Sequence, residues 1–507
     1  MQPTPLDGPP DADSAAWDAT GEPPAGSAHS QGRRARYTEY AAFYRGDQWP
    51  DLPAPGERRL TFNYARVFVN KAASYLLGKP VGYDATALAP GEPGAGGRAA
   101  TTPRRGRRAG GDARAVEAYL EAVAAFNHLA ALDLDTAIST GTLGDGAWTV
   151  RWDAAAGLPR VTAVDPTGLD ARWRADDLTT LLWVRQQYWT SRAELTAAQR
   201  ARLAAGTPAD PYHPLRARET WTPRHWRLEV GDTVVDGGPN PYGQIPYVIF
   251  PNLRVPGEFW GESDLVDLLR LQRELNARLS IFSRILEVAG NPVAVVIGAD
   301  ADSTDSLKLG PNQLWTLPEG ASADVLDLLK AGGAEAHLRY IDTIYRAMHD
   351  ISEMPRTSFG DSGGASAARS GVALEIELQP LLHKLARKRA IWSTALQRRA
   401  HLILRVARLH GADLPPAVVA VTWPPVLPQD RAALVAQETA LVHAGIHPPT
   451  RAMALLNDPD PDALLGQVLD QAARLHGAGF RLGGGPAPKA APPPDAAASP
   501  AVSGGSI

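Results

Sequence analysis

The residues that spell chemistry most directly are Gly360-Asp-Ser-Gly-Gly364, which carry Ser362 in a Gly-x-Ser-x-Gly pattern. A serine in that pattern becomes a nucleophile only on a rigid strand–turn–helix elbow, or on a β-barrel that brings histidine and aspartate to its hydroxyl. Here the pentapeptide lies in a Gly/Ser-rich run from Arg356 to Gly371, with no histidine in a protease-type signature and no barrel pattern of strands. A serine hydrolase using Ser362 stays only as an alternative. His337 and His349 share a helical segment with Asp342 and Asp350 but lack the His-x-x-x-His spacing of a helix-borne metal site. Asp300, Asp302 and Asp305 lack the closing glutamate of a calcium loop. Gly78-Lys79-Pro80 lacks the upstream glycine and trailing Ser/Thr of a phosphate-binding loop. Cysteine is absent, which removes thiolate catalysis, disulfides and Cys-type zinc sites. The expectation is a protein that is not an enzyme, with no cofactor and no catalytic or metal residues.

Charge offers binding chemistry instead. Residues 381–409 hold Lys384, Arg387, Lys388, Arg389, Arg398, Arg399, Arg405 and Arg408, and not one acid. The flanks are acidic: residues 261–354 carry fifteen acids against eight Lys/Arg, and residues 413–474 seven against three. A helix so one-sided meets a polyanion, an acidic neighbouring subunit, or water. The acidic flanks favour the subunit contact, with Lys384, Arg387, Lys388, Arg398 and Arg399 as the interface candidates. A second cluster, Arg98, Arg104, Arg105, Arg107 and Arg108, lies in the Gly/Pro-rich stretch 85–111. That stretch is a solvated loop or an arm touching nucleic acid, and a DNA-binding scaffold without a pore is the reading that uses it.

The elements that must position these groups follow from periodicity. Residues 1–32 (acidic, rich in Pro, Gly, Ala and Ser) and 476–507 read as disordered ends. Helices are expected through Tyr37–Tyr44, over Asn63–Leu77 and over Ala113–Ser139. Strand patterns follow at Trp148–Trp152, Pro159–Val164 and Leu181–Trp189, and in a pair across Glu219–Val235, with a short helix at Ser191–Ala204. From the N-cap candidate Ser263, with Asp264 and Asp267 facing the positive helix end, Leu268, Leu271, Leu275, Leu279 and Phe282 step by three or four residues. The helix is ~25 residues and roughly 38 Å long. Its apolar stripe is narrow, which suits packing against similar helices. Short strands at Asn291–Ile297 and Gln313–Leu317 and a helix at Glu335–Ser352 come next. Beyond the Gly/Ser run lie a long helix over Gly371–His410, bent near Pro380, a strand at Val418–Trp423, and helices at Gln429–Gly445 and Arg451–Asn457. The fold class is α+β, mainly helical. A net charge of −4 gives no global polyanion affinity. The lack of any apolar run near the ~18–20 residues of a membrane span, and of signal-peptide features, leads to the expectation of a soluble cytoplasmic product with no membrane partner.

Several stretches together resemble the portal proteins of tailed bacteriophages, of the siphophage type. They are Tyr44-Arg-Gly-Asp-Gln-Trp49, the helix Asn63–Leu77 ending in Leu77-Gly-Lys-Pro-Val81, Gly243-Gln-Ile-Pro-Tyr-Val-Ile-Phe-Pro-Asn252, Ile351-Ser352 with Pro355, and Ser370-Gly-Val-Ala-Leu374. Their order extends over about residues 37–470. The resemblance implies a portal-type fold: a wing at 33–262 with the Arg-rich loop 85–111 as an unusual insertion, a stem helix at 263–288 and a β-containing clip at 289–320. It continues with a second stem helix at 321–354, a tunnel loop at 355–370, a long wing helix at 371–412 and a crown at 413–475. It further implies a homo-oligomeric ring of about twelve subunits at one capsid vertex, with double-stranded DNA in its channel. Partners so implied are the terminase large subunit, a head–tail connector protein, and the scaffold and major capsid proteins. The location so implied is the virion, with host cytoplasm during assembly. Arg356, Ser358, Ser362, Ser366 and Arg369 become the channel contacts to DNA, and Leu268, Leu271, Leu275, Leu279 and Phe282 the stem packing.

Overall fold

Period-two alternation between turn residues builds antiparallel sheets here, and helical periods build the layers packed against them. The computed structural model describes residues 28–55, 57–88, 109–174, 176–290, 293–297, 319–320, 322–326, 333–360, 371–427, 431–456 and 461–477. The chain divides after Val426 into two units. The architecture is mixed α and β, as the sequence pattern predicts.

In the first unit, helix α1 (Ala28–Arg45) begins inside the stretch 1–32 that composition marks as disordered. It packs on α2 (Tyr64–Leu77), and Tyr40, Phe43, Ala65, Val69, Leu265 and Leu269 form one core cluster. Strand β1 (Gly82–Ala87) takes up the start of the expected Arg-rich loop, whose residues 89–108 lie outside the described ones. Where one helix is predicted over Ala113–Ser139, there are two, α3 (Ala109–Phe126) and α4 (Leu129–Leu143). The break is at His128, φ 50°. Asn127 replaces the missing turn: its amide donates to Val123 O and Pro159 O and accepts from Val161 N, each at 2.9 Å.

Strand β2 (Asp145–Asp153) is central in a three-stranded sheet, between β3 (Leu158–Ala163) and β9 (Tyr247–Pro251). A five-stranded antiparallel meander comprises β4 (Leu169–Trp173), β5 (Leu181–Thr190), β6 (Leu215–Trp221), β7 (His225–Val230) and β8 (Thr233–Pro239). The helix expected over Ser191–Ala204 is confined to α5 (Ala197–Ala201), closed by a Thr196/Gln199 capping box.

Helix α6 (Leu268–Gly290) and α7 (Gly333–Ile351) form a hairpin, with β10 (Val293–Ile297) pairing antiparallel to β11 (Ser322–Leu326) between them. The strand expected at 313–317 lies outside the described residues, and the observed partner of β10 falls in the stretch predicted to lead only into the second helix. The helix expected over 371–410 is split at Leu378 into α8 (Gly371–Glu377) and α9 (Gln379–Leu409). Pro380 sits in the first turn of α9, where its missing N–H removes no intrahelical bond. Trp392 of α9 packs edge-on against Trp148 and Phe250, with ring centroids at 5.4 and 4.9 Å. Strand β12 (Ala417–Thr422), placed by the sequence reading in the C-terminal region, pairs with β1 instead, from Gly82↔Thr422 to Ala87↔Ala417. Each edge thereby satisfies the other's backbone groups.

The second unit consists, among the described residues, of α10 (Arg431–His443), α11 (Pro449–Leu455) and α12 (Pro461–Gly477). His447 Nδ1 lies 2.9 Å from Glu438 Oε2 within it.

Candidate functional site

The helix predicted to start at Ser263 starts at Leu268, because Ser263 caps a separate turn. Its hydroxyl accepts from Leu265 N at 3.0 Å and faces the Gly141 and Thr142 carbonyls at the end of α4. Glycines make this approach possible. Gly144 has φ +104°, and a Cβ there lies 2.9 Å from Ser263 N; a Cβ on Gly261 lies 2.6 Å from Gly144 O. The turn therefore directs Asp264 inward rather than at a helix start. Its carboxylate, 4 % exposed, meets Lys388 Nζ and, at 3.2 Å, Lys384 Nζ. Lys388 also donates to Asn252 Oδ1 at 2.8 Å and Lys384 to Ser352 O at 3.0 Å. Asn252 completes the joint, donating from its side chain to Glu262 O and from its backbone to Gly144 O. Two lysines of α9 thus clamp the turn before α6, the end of α7 and the end of β9. Burial alone raises the Asp264 pKa, but the two ammoniums outweigh it and hold the carboxyl at about 2. Burial pushes the Lys388 pKa down, with Asp264 opposing.

Above this joint, α6 is anchored by side chains that the apolar stripe does not include. Gln272 and Asn276 are buried. Gln272 accepts from Ala65 N at 3.0 Å and donates to Phe62 O at 2.6 Å. Asn276 accepts from Phe62 N at 3.0 Å and donates to Gln48 Oε1 at 2.6 Å. The stripe itself is unevenly buried. Leu268 and Leu275 are buried within the chain, whereas Leu271, Leu279 and Phe282 are half-buried. Further out, Ile281 and Leu286 of α6, and Leu338 and Tyr340 of α7, are 44–51 % exposed.

The end of α7 leads into an ordered anchor. Glu353 takes φ 57°, and Met354 N returns to His349 O at 3.1 Å, closing the helix as a glycine commonly does. Residues Arg356–Phe359 form a 3-10 turn. The Phe359 ring meets Phe68 and His349 edge-on at 5.2 and 5.0 Å, and Tyr75 donates its hydroxyl to Ser358 O at 3.2 Å. Ser358 is buried, with its hydroxyl on Pro355 O at 2.6 Å, so it is a structural serine rather than the exposed loop contact predicted from sequence. Arg356 is 39 % exposed, lies 3.5 Å from Asp342 and covers the Tyr345 ring at 5.5 Å. Ser362, Ser366 and Arg369 lie outside the described residues.

The acid-free helix α9 meets most of its partners within its own chain. Seven of its eight cations meet acceptors of their own chain. Besides Lys384 and Lys388, Arg387 pairs with Glu353, and Arg399 pairs with Asp133 through both nitrogens. Arg399 is wholly buried, against the Trp148 ring at 4.3 Å. Arg389, Arg405 and Arg408 donate to the carbonyls of Pro424, Tyr242, Leu414 and Pro415. Burial therefore takes Lys384, Lys388 and Arg399 out of the set of exposed cations expected to meet a neighbouring subunit, while Arg387 and Arg398 are exposed. Composition marked the helix as one-sidedly basic, but not that Asp133, Asp264 and Glu353 of the same chain meet four of its cations.

Among the described residues no cluster of three or more His, Asp or Glu is arranged to hold a metal ion, and no helix is long and apolar enough to cross a membrane. No curated protein matches the chain. The family model described as phage portal protein, SPP1 Gp6-like, matches residues 186–475. That span runs from β5 through the anchored hairpin, the 3-10 turn and α9 into the second unit, and covers more than half of the chain. The chain belongs to this phage portal protein family.

Proposed function

We propose that copies of this chain form a ring-shaped channel at one capsid vertex, through which double-stranded DNA is packaged and ejected. The family is a structural one rather than an enzyme family. In this reading the α6–α7 hairpin is the stem, and β10–β11 the base of a clip that docks the terminase large subunit and the head–tail connector protein. The 3-10 turn is the root of a tunnel loop, and the second unit is a crown inside the capsid. Scaffold and major capsid proteins surround the wing, and the ring assembles in the host cytoplasm before it becomes part of the virion.

The observation that carries the reading is the split character of the hairpin. Its base is tied into the chain by Gln272, Asn276 and Asp264, while Ile281, Leu286, Leu338 and Tyr340 stand exposed further out. Such apolar side chains on a rigid hairpin suit the same surface of neighbouring copies. The acid excess over residues 261–354 suits a wall along which a polyanion slides without being held.

Negative-stain images of the purified full-length chain test this. Rings with a central hole, dispersed by Ile281→Glu with Leu338→Glu at unchanged thermal stability, are the expected result. Monomers or open filaments under all conditions overturn it.

A further inference from the structure

A cavity of about 430 Å³ lies where the end of α2, the start of β1, the end of α3 and the start of α4 meet α9. Leu77, Pro80, Val81, Ala125 and Leu129 give it apolar walls. Its volume falls in the range of small-molecule sites, which combine such walls with a few polar groups. Helix α4 opens on the cavity with Leu129, Ala130 and Ala131, its first three residues. His128 precedes them without a side-chain cap, and no acid lies in the first turn. Ala131 N and Leu132 N both turn to His128 O, while Leu129 N and Ala130 N find no acceptor among the described residues. A helix end left in this state carries partial positive charge and draws anions.

A second, independent feature comes from α9. Arg399 lines the same cavity and is wholly buried. Its terminal nitrogens donate to both oxygens of Asp133, the acid of the lining, and at 3.2 Å to the Tyr83 hydroxyl. Trp148 covers the face of the guanidinium at 4.3 Å, an arrangement that leaves the in-plane Nε–H without a hydrogen-bond partner. A buried N–H left unpaired is costly, and an acceptor entering the cavity is what this group lacks. Lys79, exposed in the lining, adds a full positive charge. Apolar walls, an uncapped helix start, an ammonium and an unpaired guanidinium N–H together describe a receptor for an organic acid.

We propose that this cavity binds a small organic anion, a carboxylate on a short apolar chain. The carboxylate pairs with the uncapped start of α4 and the cations of the lining, and the apolar chain lies against Leu77, Pro80, Val81 and Ala125. The site goes beyond the channel reading and does not depend on it.

The test is calorimetric titration of the purified full-length chain with octanoate, 1-octanol and inorganic phosphate. Octanoate is expected to saturate at a single site per chain. Lys79→Glu should weaken it roughly tenfold, since the substitution reverses a charge beside the anion. Octanol lacks the charge and phosphate lacks the apolar chain, so each should bind at least about tenfold more weakly than octanoate. Ala125→Trp, at an exposed position of the wall, is expected to abolish binding by filling the cavity, at an unchanged thermal midpoint. The absence of saturable octanoate binding overturns the proposal, as does binding left unweakened by Ala125→Trp or by Lys79→Glu. Octanol bound as tightly as octanoate overturns it too, and makes the cavity a purely apolar one. Phosphate bound as tightly as octanoate likewise overturns it, and reduces the site to a bare anion subsite at the start of α4.

Discussion

Lys388 and Asp264 form an ion pair buried to 3 % and 4 % exposure, joining the middle of α9 to the turn that launches α6. Lys384 shares the same carboxylate at 3.2 Å and holds the end of α7 through Ser352 O. Both legs of the hairpin are therefore tied to one helix at one point. In the channel reading, a shift of α9 along its axis moves both legs of the hairpin together, because both are held at this joint.

The joint predicts an acid limit to stability. Asp264 is held at about 2, against an ordinary 3.8. A carboxyl with a depressed folded pKa stabilises the fold above its unfolded pKa, and that contribution disappears as pH falls from about 4 towards 2. The shift is on the order of 2 kcal/mol. Asp264→Asn leaves two buried lysines without a counter-charge, and is expected to cost about 3–5 kcal/mol at neutral pH. Thermal midpoints across pH 2–7 check this: the variant should lose the acid-side slope that the native chain shows.

Asp145 predicts the opposite sign. Burial pushes its carboxyl up to about 6, although Tyr37 and the Gly261 N–H both donate to it. A raised folded pKa makes the group destabilising once ionised: stability falls as pH rises from about 4 to 6, then levels off. The difference amounts to about 3 kcal/mol. Asp145→Asn should flatten the midpoint profile in that window. A variant profile parallel to the native one from pH 4 to 6 is incompatible with this assignment.

Much of this architecture was readable from periodicity, but its joints were not. The stripe Leu268, Leu271, Leu275, Leu279 and Phe282 marked α6 correctly, since a three-to-four spacing on one face needs no knowledge of the partner. Gln272 and Asn276 lie next to that stripe and look like solvent positions. Their burial depends on the backbone of residues 62–65, some two hundred positions away. Asp264 was read as a helix-end acid because local rules see only the nearest N-terminus; its lysine partners arrive from α9. The single break at His128 was missed because Asn127, not a Gly or Pro, makes it. Asn252 was visible as the end of the Gly243–Asn252 motif, yet its role became clear only with Glu262 and Lys388 beside it.

Replacing the amides at the base of α6 should loosen the hairpin. Gln272→Leu strands Ala65 N and Phe62 O, and Asn276→Leu strands Phe62 N and the Gln48 side chain. Each unsatisfied buried group costs about 1–3 kcal/mol. The two changes should be less than additive, since Gln272 also donates to Asn276 at 3.1 Å. Hydrogen exchange at Phe62 and Ala65 should accelerate in either variant; unchanged protection at both amides counts against the anchor.

Gly144→Ala combines two penalties. The residue adopts φ +104°, and the new methyl meets Ser263 N, Glu262 C and Gly261 O at 2.9–3.1 Å, all backbone atoms that cannot swing aside. A loss of about 2–4 kcal/mol is expected. Gly157→Ala serves as a control, with φ +67° but nothing within 4 Å of the added methyl, so its cost should be only about 1 kcal/mol. Similar midpoints for the two variants would show that the contact at Ser263 is loose.

Arg356 and Arg369 are expected to differ in their effect on DNA. Arg356 is engaged with Asp342 at 3.5 Å and with the Tyr345 ring, at the ordered root of the loop. Arg356→Ala should therefore change stability by under about 1 kcal/mol, because both partners of the ion pair are more than one-third exposed. It should alter DNA handling little, since a guanidinium turned to Asp342 offers less charge to phosphate. Arg369→Ala is expected to lower DNA packaging and retention more. Each lost phosphate contact reduces the slope of retention against log salt by about one. The double variant should resemble Arg369→Ala alone. Packaging and retention in the double variant equal to those of the native chain exclude DNA contact by these two arginines, and leave the 3-10 turn as purely a structural anchor.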